Sequence, residues 1–78
     1  MVAMTNRTYR LILTAEPDGG FTVSIPALPG CITHGDSLEH ALQMGKEAIE
    51  GYILLLKEMG EDIPDDSNTF EYSLTMAS

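Results

Sequence analysis

The thirteen residues Ile25-Pro26-Ala27-Leu28-Pro29-Gly30-Cys31-Ile32-Thr33-His34-Gly35-Asp36-Ser37 constrain the fold more than any other stretch. Two prolines three residues apart cannot sit inside a helix or a sheet ladder, because each lacks a backbone donor and fixes φ. Pro29-Gly30 reads as a turn, with proline pre-set for the first central position and glycine free to take a positive φ at the second. Cys31 to His34 then reads as a short strand that Gly35 ends. Asp36 is placed to cap a helix, with Glu39 three residues on completing a capping-box pair. Within this corner the chain leaves one strand, makes another and launches a helix.

The flanking sequence supplies the remaining elements. Met1 to Asn6 carry no period and are expected to fray. From Arg7 to Glu16, Tyr9, Leu11, Leu13 and Ala15 alternate with more polar positions, which predicts a strand with one face toward a core. Pro17-Asp18-Gly19-Gly20 is a turn signal, and Phe21, Val23 and Ile25 form a second alternating run, so a hairpin is expected. A helix is expected from near Ser37 to Gly60, a suitable residue just past a helix end. Leu38, Ala41, Leu42, Gly45, Ala48, Ile49, Tyr52, Ile53 and Leu56 fall on one side of it, and Glu39, Gln43, Lys46, Glu47, Glu50 and Lys57 on the other. Gly45 lies within the apolar stripe, where a close approach to the sheet explains it, whereas Gly51 lies off the stripe without such a reason. Leu54 stands alone on the polar side.

After an acidic, proline-broken loop over Glu61–Ser67, the alternation of Phe70, Tyr72, Leu74 and Met76 predicts a fourth strand. The expected architecture is α+β, in the order β-β-β-α-β, with a four-stranded sheet covered on one face by one helix. A chain of 78 residues is a single domain with an ordered core over about residues 7–76. The uncovered face, mostly Thr and Ser with Ile12, can meet water or a copy of itself, and the sheet edges can pair with another chain. A dimer is therefore expected.

Charge and cysteine content narrow the partners. Four Lys and Arg against twelve Asp and Glu leave a net charge of −8. Arg7, Arg10, Lys46 and Lys57 are too few and scattered to neutralise a phosphate backbone, so direct nucleic-acid binding is not expected. A basic protein partner fits this charge better. The single cysteine permits no internal disulfide. With no apolar run long enough to span a bilayer and no export signal, it points to a reducing, cytoplasmic setting.

Gly-Gly-Phe-Thr-Val-Ser-Ile-Pro-Ala-Leu-Pro-Gly-Cys, then Thr-His-Gly-Asp-Ser-Leu-Glu-His-Ala-Leu, then Glu-Ala-Ile-Glu-Gly-Tyr and Gly-Glu-Asp-Ile-Pro occur in this order. Together they resemble the HicB-like antitoxin family over about residues 8–66. His40 stands where that family commonly has an acidic residue, and Gly51 interrupts the helix. The resemblance implies a partial RNase H-like fold with strand order 3-2-1-4, the fourth strand parallel to the first. It also implies a type II toxin–antitoxin role, in which the chain binds and blocks a small, basic, RNA-cleaving HicA-type toxin. Many members carry a C-terminal DNA-binding segment, and this chain reads as a short form that ends after the fourth strand.

Catalytic alternatives find little support in the residues. Two-metal nuclease chemistry needs carboxylates converging on metals about 4 Å apart. The centre of the first strand is Leu11-Ile12-Leu13, with Glu16 at its end, while Glu47 and Glu71 fall on faces directed away from the core. His34, Asp36 and His40 are close in sequence, but Asp36 is expected to cap the helix and His40 to face solvent. No metal or catalytic residue is assigned. Cys31 reads as a small buried strand residue rather than a nucleophile. The expected activity is binding, with Glu50, Leu54, Glu58, Glu61 and Asp62 as the partner-contact residues. An orphan self-associating domain without a toxin partner and a metal-dependent nuclease are the alternatives.

Overall fold

A computed structural model describes residues 6–77 of the chain. The fraying expected of the first residues falls largely on residues 1–5, which lie outside those described. Three short strands, β1 (Ile12–Ala15), β2 (Phe21–Ser24) and β3 (Ile32–Gly35), precede one long helix, α1 (Leu38–Met59). The sheet order is β1-β2-β3 and both pairings are antiparallel, with Leu13 opposite Val23 and Val23 opposite Thr33. The α+β class and the order of the first four elements match the sequence reading.

The proline-rich corner is built from two linked turns. Leu28 N–H donates to the Ile25 carbonyl around Pro26, and Cys31 N–H donates to the Leu28 carbonyl around Pro29-Gly30. Gly30 takes a φ of 78°, as the second central position of the latter turn requires. The Ile25 N–H then closes the unit on the Cys31 carbonyl. The three residues that anchor these bonds, Ile25, Leu28 and Cys31, are all buried and form the core with Val23 and Ala41. Each fully buried aliphatic side chain of this kind contributes about 1.5–3 kcal/mol. The corner is thus the centre of the core as well as a change of direction.

α1 packs chiefly on β3 and β2. Its N-cap is Ser37, whose hydroxyl accepts the His40 N–H, and not Asp36. His40 reaches back so that its Nδ1 accepts the Asp36 N–H at 2.9 Å. This reciprocal pair does the work of a capping box with an imidazole in place of a carboxylate. At the other end Gly60, at φ 71°, donates its N–H to the last turn. Gly45 is buried where a Cβ would stand 2.4 Å from Leu11 Cδ2, so the close approach expected of it is present. Gly51 is open, with nothing within 4 Å of where its Cβ would be.

Besides the N-cap, the strands depart from expectation. The first strand was expected from Arg7, yet the ladder begins at Ile12. Continuing its register would set Arg10 opposite Pro26, which has no N–H to offer. Residues Thr8–Arg10 pair instead with the segment that follows the helix. Asp66 N–H donates to the Thr8 carbonyl at 2.7 Å, and the Arg10 N–H donates to the Asp66 carboxylate at 2.9 Å. Thr8 N–H donates to Asp65, and the Tyr9 hydroxyl donates to the Pro64 carbonyl. The acidic loop is therefore a strap, and Asp66 within it is buried.

The second correction concerns the sheet. Among the described residues it has three strands, and Thr69–Met76 joins no ladder. Phe70, Tyr72, Leu74 and Met76 are 87%, 86%, 74% and 78% exposed. Alternation alone does not make a strand; a partner edge must satisfy its backbone, and this segment stands clear of one. The uncovered sheet face also differs from the sequence reading. Ile32, 64% exposed, joins Ile12 and Ser24 in a row across it.

Candidate functional site

α1 presents its exposed side as one continuous surface, because its buried stripe is narrow: only Ala41 and Gly45 are fully covered. Ala48, Ile49, Tyr52 and Leu56 pack against the core, and the Tyr52 hydroxyl donates to the Pro29 carbonyl at 2.8 Å, which ties the helix to the corner. That orientation directs Glu47, Glu50 and Leu54 outward. Leu54 is 58% exposed, in accord with its position on the polar side of the helical wheel.

Glu50 and Leu54 share a shallow depression of about 690 Å³ with Gly51, Ile53, Arg7 and Lys57. Of the five residues expected to contact a partner, these two are brought together. Glu58, Glu61 and Asp62 lie at and beyond the helix C-terminus, all exposed, and continue the acidic surface without lining that depression. Arg7 and Lys57 line that depression with Glu47 and Glu50, two cations with two carboxylates, whereas Glu58, Glu61 and Asp62 are all acidic. Leu55 and Met59, also exposed, extend the apolar part of the helix toward the same end. The sequence reading passed over both because they adjoin the core stripe on the wheel.

A second groove, about 430 Å³, adjoins the first at Arg7, Glu50 and Ile53 and runs between Leu42, Ile49 and Ile53 of the helix and Tyr9 and Leu11 before β1. Leu42 was expected in the core and is exposed beside this groove. No sequence signal pointed to it, since it forms between helix side chains and a segment more than 30 residues earlier in the chain.

The residues weighed for chemistry fall apart in space or are occupied. The Glu16 carboxylate accepts the Thr22 hydroxyl at the hairpin, while Glu47 stands on the helix and Glu71 on the exposed C-terminal segment. Among the described residues no group of three or more His, Cys, Asp or Glu side chains is gathered as for a metal ion. Cys31 is buried, and burial pushes its thiol above the usual value, which keeps it protonated. Asp65 is held below its usual carboxylate value by the Thr8 N–H and by the hydroxyl and N–H of Ser67. No helix among the described residues is long and apolar enough to cross a membrane.

The geometry defines a small α+β domain whose offerings are surfaces: an acidic helix face with an isolated leucine, and an apolar groove beside an open sheet edge. Comparison with known proteins places it more closely. The chain matches the family described as HicB_like antitoxin of bacterial toxin-antitoxin system over residues 9–76, and it belongs to that family. It is 48% identical over 59 residues to a UPF0150 protein of Thermoplasma acidophilum, covering 76% of this chain and 86% of the relative. A UPF0150 protein of Synechocystis is 40% identical over 58 residues, covering 74% and 73%. Antitoxin HicB 1 of Photorhabdus laumondii is 36% identical over 59 residues, 76% of this chain but 38% of that antitoxin. The family suggests an antitoxin's role, exerted without catalysis.

Proposed function

We propose that the chain is the antitoxin of a type II toxin–antitoxin pair and that it neutralises a small basic HicA-type RNase toxin. It acts by covering the toxin's RNA-facing surface, sterically and by charge, and catalyses nothing itself. The observation that carries this reading is the exposed Leu54 beside Glu50, on an acidic helix face of a chain that belongs to an antitoxin family. Leu54 supplies apolar area for a partner to bury, and Glu50, Glu58, Glu61 and Asp62 supply steering toward a basic partner. The toxin, not this chain, engages RNA, and the encounter takes place in the cytoplasm. The chain works as a dimer of a partial RNase H-like fold.

The test is a pull-down of the tagged chain with the HicA-type toxin of the same genome at low and high salt. Recovery at low salt, weakening as exposed pairs are screened over about 8 Å, supports the reading. Recovery that ignores salt contradicts the electrostatic part of the mechanism, and no recovery contradicts the whole. A self-associating domain without a toxin is the second reading, favoured by the apolar C-terminal segment, and the same pull-down distinguishes it.

A further inference from the structure

We infer that residues Thr69–Met76 form the missing fourth strand of a second copy of this chain, laid along the open edge of its β1 and into the groove under its helix. The inference rests on the dimeric part of the proposed function and specifies where the dimer forms. Three observations converge on it. The first is the segment: Phe70, Tyr72, Leu74 and Met76 repeat at the two-residue period of a strand with one buried face, yet all four are exposed. The second is the edge. Because the Glu16 N–H bonds to Gly20, the antiparallel alternation turns Ile12 and Thr14 toward β2 and leaves the backbone groups of Leu13 and Ala15 on the outer side. The third is the groove lined by Leu11, Leu42, Ile49 and Ile53, which adjoins β1 on its helix side.

Charge selects a copy of the same chain as the occupant. Two molecules each carrying −8 repel, so they meet where negative charge is lowest. From Ser67 onward the chain has one charged residue, Glu71, and the groove is lined by Arg7 and Lys46, two of the four cations, against one carboxylate, Glu50. The base of the segment is fixed at home: Asp66 is bonded to Thr8 and Arg10, the Thr69 N–H bonds back to Asp66, and the Arg10 guanidinium bonds the Thr69 carbonyl. Beyond that turn the segment is free of its own body. A matched strip and groove, separated within one chain by a short anchored turn, is the arrangement from which two protomers exchange an identical element. The exchange would give each protomer four strands and remove an exposed edge.

The experiment uses the full chain. Light scattering is expected to give about 17 kDa, twice the 8.5 kDa chain. In a mixture of carbon-13-labelled and unlabelled protein, isotope-filtered NOEs are expected between Phe70, Tyr72 or Leu74 of one molecule and Leu11, Ile49 or Ile53 of another. The double substitution Phe70→Ser with Leu74→Ser, at exposed positions, is expected to weaken dimerisation at least tenfold. A monomer at every concentration overturns the inference. So does a dimer in which these NOEs arise within one molecule, or one that the double substitution leaves intact, as contact through Ile12 and Ile32 would. RNase inhibition is measured on the same samples: a monomer that still blocks the toxin removes the exchange and leaves the antitoxin reading standing.

Discussion

Single residues separate the demands of folding from those of binding most clearly at the helix and strand glycines. A Cβ at Gly35 would meet the backbone N and Cα of Ala41 at 2.4 Å, so β3 and the first turn of α1 touch with no room between them. Gly35→Ala is expected to destabilise the fold by about 1–3 kcal/mol or more, read as the urea midpoint, because backbone cannot step aside as a side chain can. Gly45→Ala meets the flexible end of Leu11 and is expected to cost less. Gly51 is the opposite case. With open space around it, Gly51→Ala is expected to stabilise by about 0.5–1 kcal/mol through helix propensity. If that variant is stable yet loses toxin binding, the small residue serves the depression it lines with Glu50 and Leu54.

Among the elements, the strap from Pro64 to Asp66 is what holds the end of the helix to the start of the sheet. Asp66→Ala removes the acceptor for the Arg10 N–H in a buried place, and a loss of about 1–3 kcal/mol is expected, with Asp66→Asn losing less. Asp65 gives the strap a pH dependence whose sign follows from its partners. Its folded value lies below the unfolded one, near 3.9, so its contribution is present above that pH and is lost as pH falls through the folded value. Melting temperatures from pH 6 to pH 2 are expected to separate wild type from Asp65→Ala at the upper end and to converge at the lower. The sequence made the hairpin, the double turn and the helix legible, since each is signalled locally by Pro, Gly or an apolar period. The strap was not legible, because Asp-Asp-Ser after a proline reads the same whether it is solvated or bonded to a segment 56 residues away. The fourth strand was overread for a related reason: alternation reports a segment able to pair, and does not report whether an edge of the same chain meets it.

Across the whole molecule, net charge and surface shape favour association over chemistry. The acidic side of α1 and the apolar groove are neighbouring surfaces that meet at Arg7, Glu50 and Ile53, and the exposed C-terminal segment is a third. The exposure of Leu54 and Glu50 was legible from the helical wheel, and the two share a depression, while Glu58 lies in the last turn of the helix and Glu61 and Asp62 beyond it. Which of these surfaces a partner uses is a property of that partner, and one sequence alone does not record it. The direct measurement is RNA cleavage by the HicA-type toxin titrated with this protein, in parallel with its Leu54→Asp variant. Cleavage is expected to stop at a stoichiometric amount of the wild-type chain and to need at least tenfold more of the variant, with inhibition weakening as salt rises. Cleavage that continues at full rate in excess wild-type protein would contradict the account.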